Sequence, residues 1–208
     1  MKENSSIVKN TIVLVIMTLI LGTILGFVHY ITEEPIALQN QKEHDEALEA
    51  VMPDCTFESV DLTADGLDTA FAAAITDAGL TAQTIDELNI ATDASGNVAG
   101  YVFGITTGEG YGGDISFTMG LTSEGTITGI SFLDISETAG LGMRADTDDF
   151  KNQFVDKTSE FISYTKTGAQ SEDEIDALSG STVTTNAVVN GVNAGLVSFK
   201  SYMEGGNS

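Results

Sequence analysis

The amino-acid sequence predicts an α+β protein, in which one N-terminal transmembrane helix is followed by a domain with an antiparallel or mixed sheet flanked by helices. Three observations predict this fold class. Residues 11–31 form an uncharged apolar run, residues 97–134 hold three short segments rich in β-branched or aromatic residues, and helix-like periodicity returns on both sides of these segments. Strands that follow one another with helices at either end are typical of α+β domains.

The apolar run TIVLVIMTLILGTILGFVHYI at 11–31 predicts a membrane anchor. About 20 apolar residues, each rising about 1.5 Å along a helix, span a bilayer core of about 30 Å. A cleavable signal peptide is the alternative, but its apolar region is usually shorter and ends at a small-residue cleavage site. No such pattern follows Ile31, so we expect an uncleaved single-pass helix in the inner or plasma membrane.

The charges beside this run predict its orientation. Lys2 and Lys9 precede it, and two glutamates follow it. Because positively charged flanks stay on the cytoplasmic side of a membrane, we expect residues 1–10 in the cytoplasm and the domain outside it.

Two helices are predicted before the strands. Pro35 fits the first turn of a new helix over 36–51, whose mostly polar middle indicates an exposed stalk or a helix lying on the domain. Residues 67–80 are alanine-rich, carry hydrophobic residues at helical spacing and lie between Gly66 and Gly79. They predict a second helix.

Three short strands follow, separated by glycine-containing turns, and they predict an antiparallel meander at 97–106, 114–122 and 126–134. The elements predicted after the meander are a helix at 148–155, a short strand at 161–164 and an amphipathic helix at 183–203. The predicted organisation is an N-terminus at 1–10, a transmembrane helix at 11–31, a stalk and helical part at 32–95, and the core of the domain at 96–208.

The composition excludes several classes of function. The chain has 8 Lys+Arg against 31 Asp+Glu, a net charge of −23, so no nucleic acid is expected as a partner. Alternatively, the acidic residues only keep the domain soluble. One cysteine and two histidines are too few for a disulfide within the chain or a metal cage. We predict no metal site and no catalytic residue, since no Ser-His-Asp set or paired carboxylates stand out.

The most informative segment is DALSGSTVT at 176–184, where small residues surround a hydroxyl at the predicted start of a helix. The first N–H groups of a helix have no partner within it and attract a phosphate. The residues alone leave an ordinary helix start open, with Ser179, Thr182 or Thr184 as the capping residue.

This segment resembles the flavinylation motif of the FMN-binding domain family, which includes the G subunit of the Rnf complex and the C subunit of the sodium-pumping NADH:quinone reductase. The family motif has an aspartate, then Ser/Thr-Gly-Ala-Thr, and its threonine carries FMN through a phosphoester that a flavin transferase forms. Asp176, Ser179 and Gly180 match this pattern, and Thr182 falls on the FMN acceptor. Ser181 stands where alanine is more usual.

Two further segments resemble the same family. GEGYGG at 108–113 is similar to its G-Y-G-G loop, and SETAGLG at 136–142 is similar to its E-T-P-G-L-G segment, with Ala139 in place of proline. Without the resemblance, the first segment also fits a flexible hairpin turn or a nucleotide phosphate loop. No Gly-Lys-Ser/Thr follows it, however. The three motifs occur in the family's order, and the stretch from the first to the last spans most of residues 98–190.

The resemblance implies roles for individual residues. Glu137 and Thr138 are expected to hydrogen-bond the polar edge or the ribityl chain of FMN, and Leu141 and Tyr111 to pack against its ring. Lys166 resembles a family lysine expected near the flavin, where it would oppose the phosphodiester or the reduced ring. A solvated surface lysine is the alternative for this residue.

The implied function is that of an electron-transfer subunit with covalent FMN in a membrane complex. Such a complex couples ferredoxin:NAD oxidoreduction to Na⁺ or H⁺ transport, and no complete activity is expected of this protein alone. The implied partners are other subunits of the complex and a flavin transferase. Two alternatives remain: a stand-alone extracytoplasmic flavin carrier, and a non-redox interaction module on the same fold.

The predicted orientation can be tested with reporters joined to the C-terminus, after Ser208. We expect alkaline phosphatase fused there to be active, because this enzyme folds only outside the cytoplasm, and we expect a reporter that works only in the cytoplasm to be silent. The reverse result would place the domain in the cytoplasm.

Overall fold

The structure is a computed structural model that describes the backbone of residues 2–64 and 66–205, with the side chains of these from residue 9 onward. Met1 and residues 206–208, at the ends of the predicted segments 1–10 and 96–208, lie outside the described residues. So does the side chain of Lys2. The chain divides into two compact units, Met1–Glu43 and His44–Ser208.

The first unit belongs to helix α1, Lys2–Val51. Within the described residues, one stretch of helix, Lys9–Val51, is long and apolar enough to cross a membrane. The most apolar 18 residues of this stretch have a mean hydropathy of 2.6, and none of them is buried within the protein. The hydroxyls of Thr18 and Thr23 donate to the carbonyls of Leu14 and Leu19. Such bonds satisfy a hydroxyl within its own helix, which suits an apolar environment.

The helix does not restart at Pro35, so this prediction was wrong. Pro35 lies inside the continuous helix α1. A proline within a helix removes one backbone hydrogen bond, but Glu33, Glu34 and Leu38 around it have high helix propensity. The helix ends at Val51, just before Pro53, as predicted.

The second unit is built on a five-stranded antiparallel sheet, which confirms the predicted fold class. The strands occur in the order of the sequence and are β1 Thr56–Ser59, β2 Gln83–Thr92, β3 Val98–Thr107, β4 Ile115–Thr122 and β5 Ile127–Ile135. The last three are the predicted meander. Strands β1 and β2 were not predicted, and they fall in the segment 32–95, for which a stalk and a helical part were predicted.

Strand β2 was missed because its alternation is interrupted. The pairing of β2 with β3 shifts register between Ile85 and Glu87, so apolar residues before and after this irregularity do not keep a period of two. Asp86 and Glu87 also place two adjacent acids in the strand, a composition that is depleted in strands.

In the part of the chain that the structure describes, four helical elements and a small parallel sheet complete the unit. Helix α2 is Leu67–Asp77, a 3₁₀ helix is Gly142–Asp146, helix α3 is Asp148–Lys151 and helix α4 is Thr182–Gly205; strands β6 Ser163–Thr165 and β7 Glu174–Asp176 pair in parallel. Helix α3 is shorter than the predicted 148–155, because the chain continues in tight turns and Asp156 adopts a positive φ of 63°.

Helix α4 packs on one face of the sheet, and its two central glycines are needed there. A Cβ at Gly191 would lie 2.8 Å from the ring of Phe117, and a Cβ at Gly195 would collide with Met119. Both side chains are fully buried in the main core. Glycine lowers helix stability, but at these positions it lets the helix backbone approach the sheet closely.

The opposite face of the sheet is covered by the last turns of α1, which belong to the second unit. Leu48, Val51 and Met52 form a buried cluster with sheet residues. The hydroxyl of Thr128 on β5 donates to the carbonyl of Val51 at 2.6 Å, which satisfies one of the last carbonyls of the helix. Gly120 on β4 leaves room for this turn.

Gly120→Ala should destabilise the second unit. The added Cβ would collide with Thr128 Oγ1 and lie 2.9 Å from the Val51 carbonyl oxygen. We expect the free energy of unfolding to fall by about 1–3 kcal/mol, as for other overpacked sites, in urea titrations of the detergent-solubilised chain followed by circular dichroism. Gly205→Ala is the control, because beyond the adjacent residues and the nearby backbone of its own helix no atom of the described residues lies within 4 Å of its Cβ position. Equal stability of both variants would contradict the packing described here.

Candidate cofactor-binding site

The three predicted motif loops meet around one cleft of about 500 Å³. The loop 108–113 connects β3 to β4, and the segment 136–142 follows β5. Because Thr107 pairs with Ile115, and Ile115 pairs with Ile135, both segments leave the same end of the sheet. The third loop leads into α4. The lining residues are Tyr111, Glu137, Thr138, Leu141, Gly142, Gly180, Ser181, Thr182, Val183 and Thr184.

A buried carboxylate joins the first two loops. Glu137 is 9% exposed, and its Oε1 accepts hydrogen bonds from the backbone N–H of Tyr111 at 2.7 Å and of Gly112 at 3.3 Å. A Cβ at Gly112 would collide with the carbonyl oxygen of Ser136. Glycine at this position therefore allows the two backbones to meet, and Glu137 holds them together.

The segment 136–142 also contacts the start of α4 closely. A Cβ at Gly142 would lie 2.6 Å from both Glu137 Oε2 and Thr184 Oγ1. Only glycine therefore fits between the carboxylate and the first turn of the helix. The side chain of Leu141 reaches to 3.3 Å from the Cβ position of Gly180, which has a positive φ of 82°.

A second carboxylate, which sequence reasoning missed, ties the glycine-rich loop to α4. Oε2 of Glu109 accepts hydrogen bonds from the side-chain amides of Asn186 at 3.3 Å and Asn190 at 2.6 Å. The two asparagines are four residues apart and so lie on one face of the helix. The spacing of the two asparagines predicts a polar face on the helix, but no neighbouring residue in the sequence identifies Glu109 as their partner.

The segment before α4 is held at its start by Asp176. Its backbone N–H donates to Gln153 Oε1 at 2.6 Å, and its carboxylate accepts from the N–H of Ala169 at 2.7 Å. Ser179 follows on an exposed turn and does not line the cleft. Asp176 thus stabilises the segment that leads to the cleft and does not itself line the cleft.

The three hydroxyl residues that line the cleft at the start of α4, Ser181, Thr182 and Thr184, differ in burial. Helix α4 begins at Thr182, so Ser181 is the residue that precedes it. Ser181 and Thr184 are 7% and 2% exposed, whereas Thr182 is only partly buried. Of the three residues, Thr182 is the most exposed.

The mouth of the cleft is apolar. Tyr111, Leu141 and Val183 all line it and are exposed large hydrophobic residues, Tyr111 to 75%. Val183, like Gly142 and Thr184, was not predicted as a site residue. Exposed apolar side chains that gather at one cleft indicate a ligand or partner surface.

Lys166 is a predicted site residue that the structure does not place at the cleft. It lies in an exposed bend directly after β6 and is not among the lining residues. With Ser179, it is one of two predicted residues that the fold does not bring to the cleft.

Other reactive groups of the described residues lie elsewhere. In residues 2–64 and 66–205, no group of three or more His, Cys, Asp and Glu side chains could hold a metal ion. Cys55 is a free cysteine, and burial, followed by the charges of Asp93 and Asp54, raises the pKa of its thiol. The thiol is therefore protonated at neutral pH, which lowers its reactivity.

The chain matches two family models. Residues 110–197 match the FMN-binding domain, and residues 1–51 match the RnfG N-terminal region. The first match includes all three loops of the cleft except the start of the glycine-rich loop, and the second match ends where α1 ends.

Individual proteins are similar over the whole chain or over part of it. The G subunit of the ion-translocating oxidoreductase complex of Methanosarcina acetivorans is 30% identical over 99% of this chain and 100% of its own. The G subunit of the Na⁺-translocating ferredoxin:NAD⁺ oxidoreductase complex of Acetobacterium woodii is 34% identical over 50% of each chain. The similarity to this second relative therefore extends over about half of its length.

A solved structure is also similar to the domain. The C subunit of the Na⁺-translocating NADH-quinone reductase of Parabacteroides distasonis gives a TM-score of 0.48 with 24% identity, over 56% of this chain and 62% of its own. The full-length match to the Methanosarcina protein and the two family matches identify this chain as a member of the family of G subunits of ion-translocating oxidoreductase complexes, with an FMN-binding domain.

Proposed function

We propose that the chain carries FMN as a phosphoester on Thr182 and transfers electrons within a membrane complex that couples ferredoxin:NAD oxidoreduction to Na⁺ or H⁺ transport. The observation that carries this proposal is the position of Thr182. It is a partly exposed hydroxyl residue that lines the cleft formed by the three motif loops, within the segment that matches the FMN-binding domain. The A. woodii relative supports the type of complex by its name.

The cleft fits a flavin nucleotide in size and in chemistry. A volume of about 500 Å³ lies within the usual range of small-molecule sites, about 300–1,000 Å³. Tyr111, Leu141 and Val183 offer an apolar surface for a flat ring. Thr138 offers a hydroxyl for the polar ribityl chain, and the first turn of α4, a helix of 24 residues, suits the phosphate.

Burial selects Thr182 among the three hydroxyl residues of the motif that line the cleft. Attachment forms a bond from Thr182 Oγ1 to phosphorus and needs an activated phosphoryl donor, such as the flavin adenine dinucleotide used by a flavin transferase. The phosphoanhydride bond to AMP breaks, AMP leaves with the electron pair, and the hydroxyl proton passes to a base of the transferase. Ser181 and Thr184 are buried, so a second protein reaches them less easily.

A covalent link would prevent the loss of FMN from a domain that lies outside the cytoplasm. The FMN group supplies one- and two-electron redox chemistry. A phosphoester keeps it on the protein without any free FMN in the surrounding solution, which is what a domain outside the cytoplasm requires. The charge pattern around residues 11–31 supports that orientation for a single-pass α1.

Glu137 and Glu109 serve this site as positioning residues. Glu137 fixes the loop that carries Tyr111, and Glu109 ties the same loop to α4, the helix that begins with Thr182. Both contacts are made between residues of the protein itself, so they restrict the loops around the cleft, and a restricted site needs less ordering when the cofactor is attached.

The attachment site can be tested by intact mass spectrometry of the full chain, expressed in a cell that makes a flavin transferase. We expect the natural chain to gain the mass of FMN minus water and the Thr182→Ala chain to gain nothing. Flavin fluorescence in denaturing gels should show the same difference, because only a covalent flavin survives there.

Ser181→Ala is the matched control for this experiment, since it removes the neighbouring hydroxyl and should leave the added mass in place. An unmodified natural chain would refute the proposal, and a modified Thr182→Ala chain would refute the assignment to this residue. Copurification with other membrane proteins then separates a member of a complex from a stand-alone carrier.

The role of Glu137 can be tested through the amide of Tyr111. Glu137→Ala leaves this N–H without its acceptor, so we expect a loss of about 1–3 kcal/mol in local stability and faster hydrogen exchange at Tyr111. Glu137→Gln keeps an acceptor oxygen in the same position and should retain slow exchange. Equal exchange rates in the alanine variant and the natural chain would show that the carboxylate does not hold the loop.

A further inference from the structure

Thr185 lies one residue beyond the motif segment 176–184 and has no part in the cleft lining. It belongs to the first turn of α4 and is 0% exposed. A fully buried hydroxyl must find partners inside the protein, and the partners of this one are both in the loop that presents Thr182.

The hydroxyl of Thr185 uses its donor and its acceptor at the same time. Its Oγ1 donates to the carbonyl of Ser181 at 2.9 Å and accepts from the backbone N–H of Leu178 at 3.1 Å. The N–H of Thr185 donates to the same Ser181 carbonyl at 3.0 Å. We call the two hydroxyl bonds the Thr185 bridge.

Within the residues that the structure describes, the loop has few other constraints. Between the buried Leu178 and Ser181, the residues Ser179 and Gly180 are exposed. A backbone bond from the N–H of Ser181 to the carbonyl of Leu178, at 3.0 Å, closes this turn. Gly180 has a φ of 82° and, as a glycine, adopts other conformations at little cost. The Thr185 bridge therefore adds one hydrogen bond at each end of this turn to the backbone bond that closes it.

The bridge also bears on which hydroxyl is accessible. The Thr185 hydroxyl donates to the carbonyl of Ser181, whose side chain is buried. The next residue, Thr182, lines the cleft. Ser181 and Thr182 are neighbours that differ in burial, so the path of the turn into α4 decides which of the two residues is exposed at the cleft.

We infer that Thr185 is a positioning residue for flavin attachment: its buried hydroxyl holds the 178–181 loop so that Thr182, and not Ser181, meets the flavin transferase. The inference rests on the proposed function, because it concerns the same ester. It adds a residue outside the motif that sets both the rate and the site of attachment.

The test uses the full chain, made without a flavin transferase, purified in detergent and then incubated with the transferase and flavin adenine dinucleotide. Thr185→Val removes both bonds of the bridge, and we expect it to lower the initial rate of attachment about tenfold. We also expect peptide mass spectrometry to find part of the flavin on Ser181. Thr185→Ser keeps the hydroxyl and should restore both the rate and the site.

Thr118→Val is the matched control. Thr118 is also 0% exposed, and its hydroxyl contacts the carbonyls of Ala47 and Ser131, away from the cleft. This variant should react at the natural rate and only on Thr182. A slow reaction here would mean that general destabilisation explains the Thr185 result, and would overturn the inference.

The outcomes separate the inference from the proposed function. If the natural chain takes no flavin, the proposed function fails. If it is modified on Thr182 and Thr185→Val reacts equally fast at the same residue, only the inference fails. Should Thr185→Val not fold, Thr185→Cys replaces it, because a thiol is a weaker donor and acceptor than a hydroxyl. The cysteine variant should again be slower than the serine variant, and equal rates would overturn the inference.

Discussion

The cleft depends on one contact, the buried carboxylate of Glu137 with the backbone N–H groups of Tyr111 and Gly112. The loops that this contact joins are separated by the length of two strands in the sequence, and each is rich in glycine and therefore flexible on its own. A carboxylate that accepts from backbone amides forms strong, charge-assisted hydrogen bonds. This contact holds the loops 108–113 and 136–142 together, and the two loops form one wall of the cleft.

The rest of the domain keeps this wall in place against α4. Close approach is the common feature: Gly191 lets the helix lie against Phe117, Gly142 lets the wall meet Thr184, and Glu109 links the glycine-rich loop to the helix. The covalent FMN that we propose needs such a frame, because its position is set at the single atom where it is attached. Electron transfer in turn depends on that position, which supports a rigid rather than an adaptable site.

Much of this could be predicted from local signals. The apolar run of α1, the three strands of the meander and the helix α4 each have a period or a composition that the sequence shows directly. Strand β2 could not be predicted, because the irregularity between Ile85 and Glu87 breaks its alternation. Pro35 does not mark a helix boundary, because the loss of one backbone hydrogen bond does not end a helix when the neighbouring residues favour helix.

The sequence by itself determined which segments could form the site, because motif residues such as Thr182, Gly180 and Leu141 are recognisable in a linear string. Only the tertiary structure decided how these residues are used. It buries Ser181, leaves Thr182 accessible, and leaves Lys166 outside the cleft. Burial and contacts between distant loops arise from packing, and no local pattern of residues specifies them.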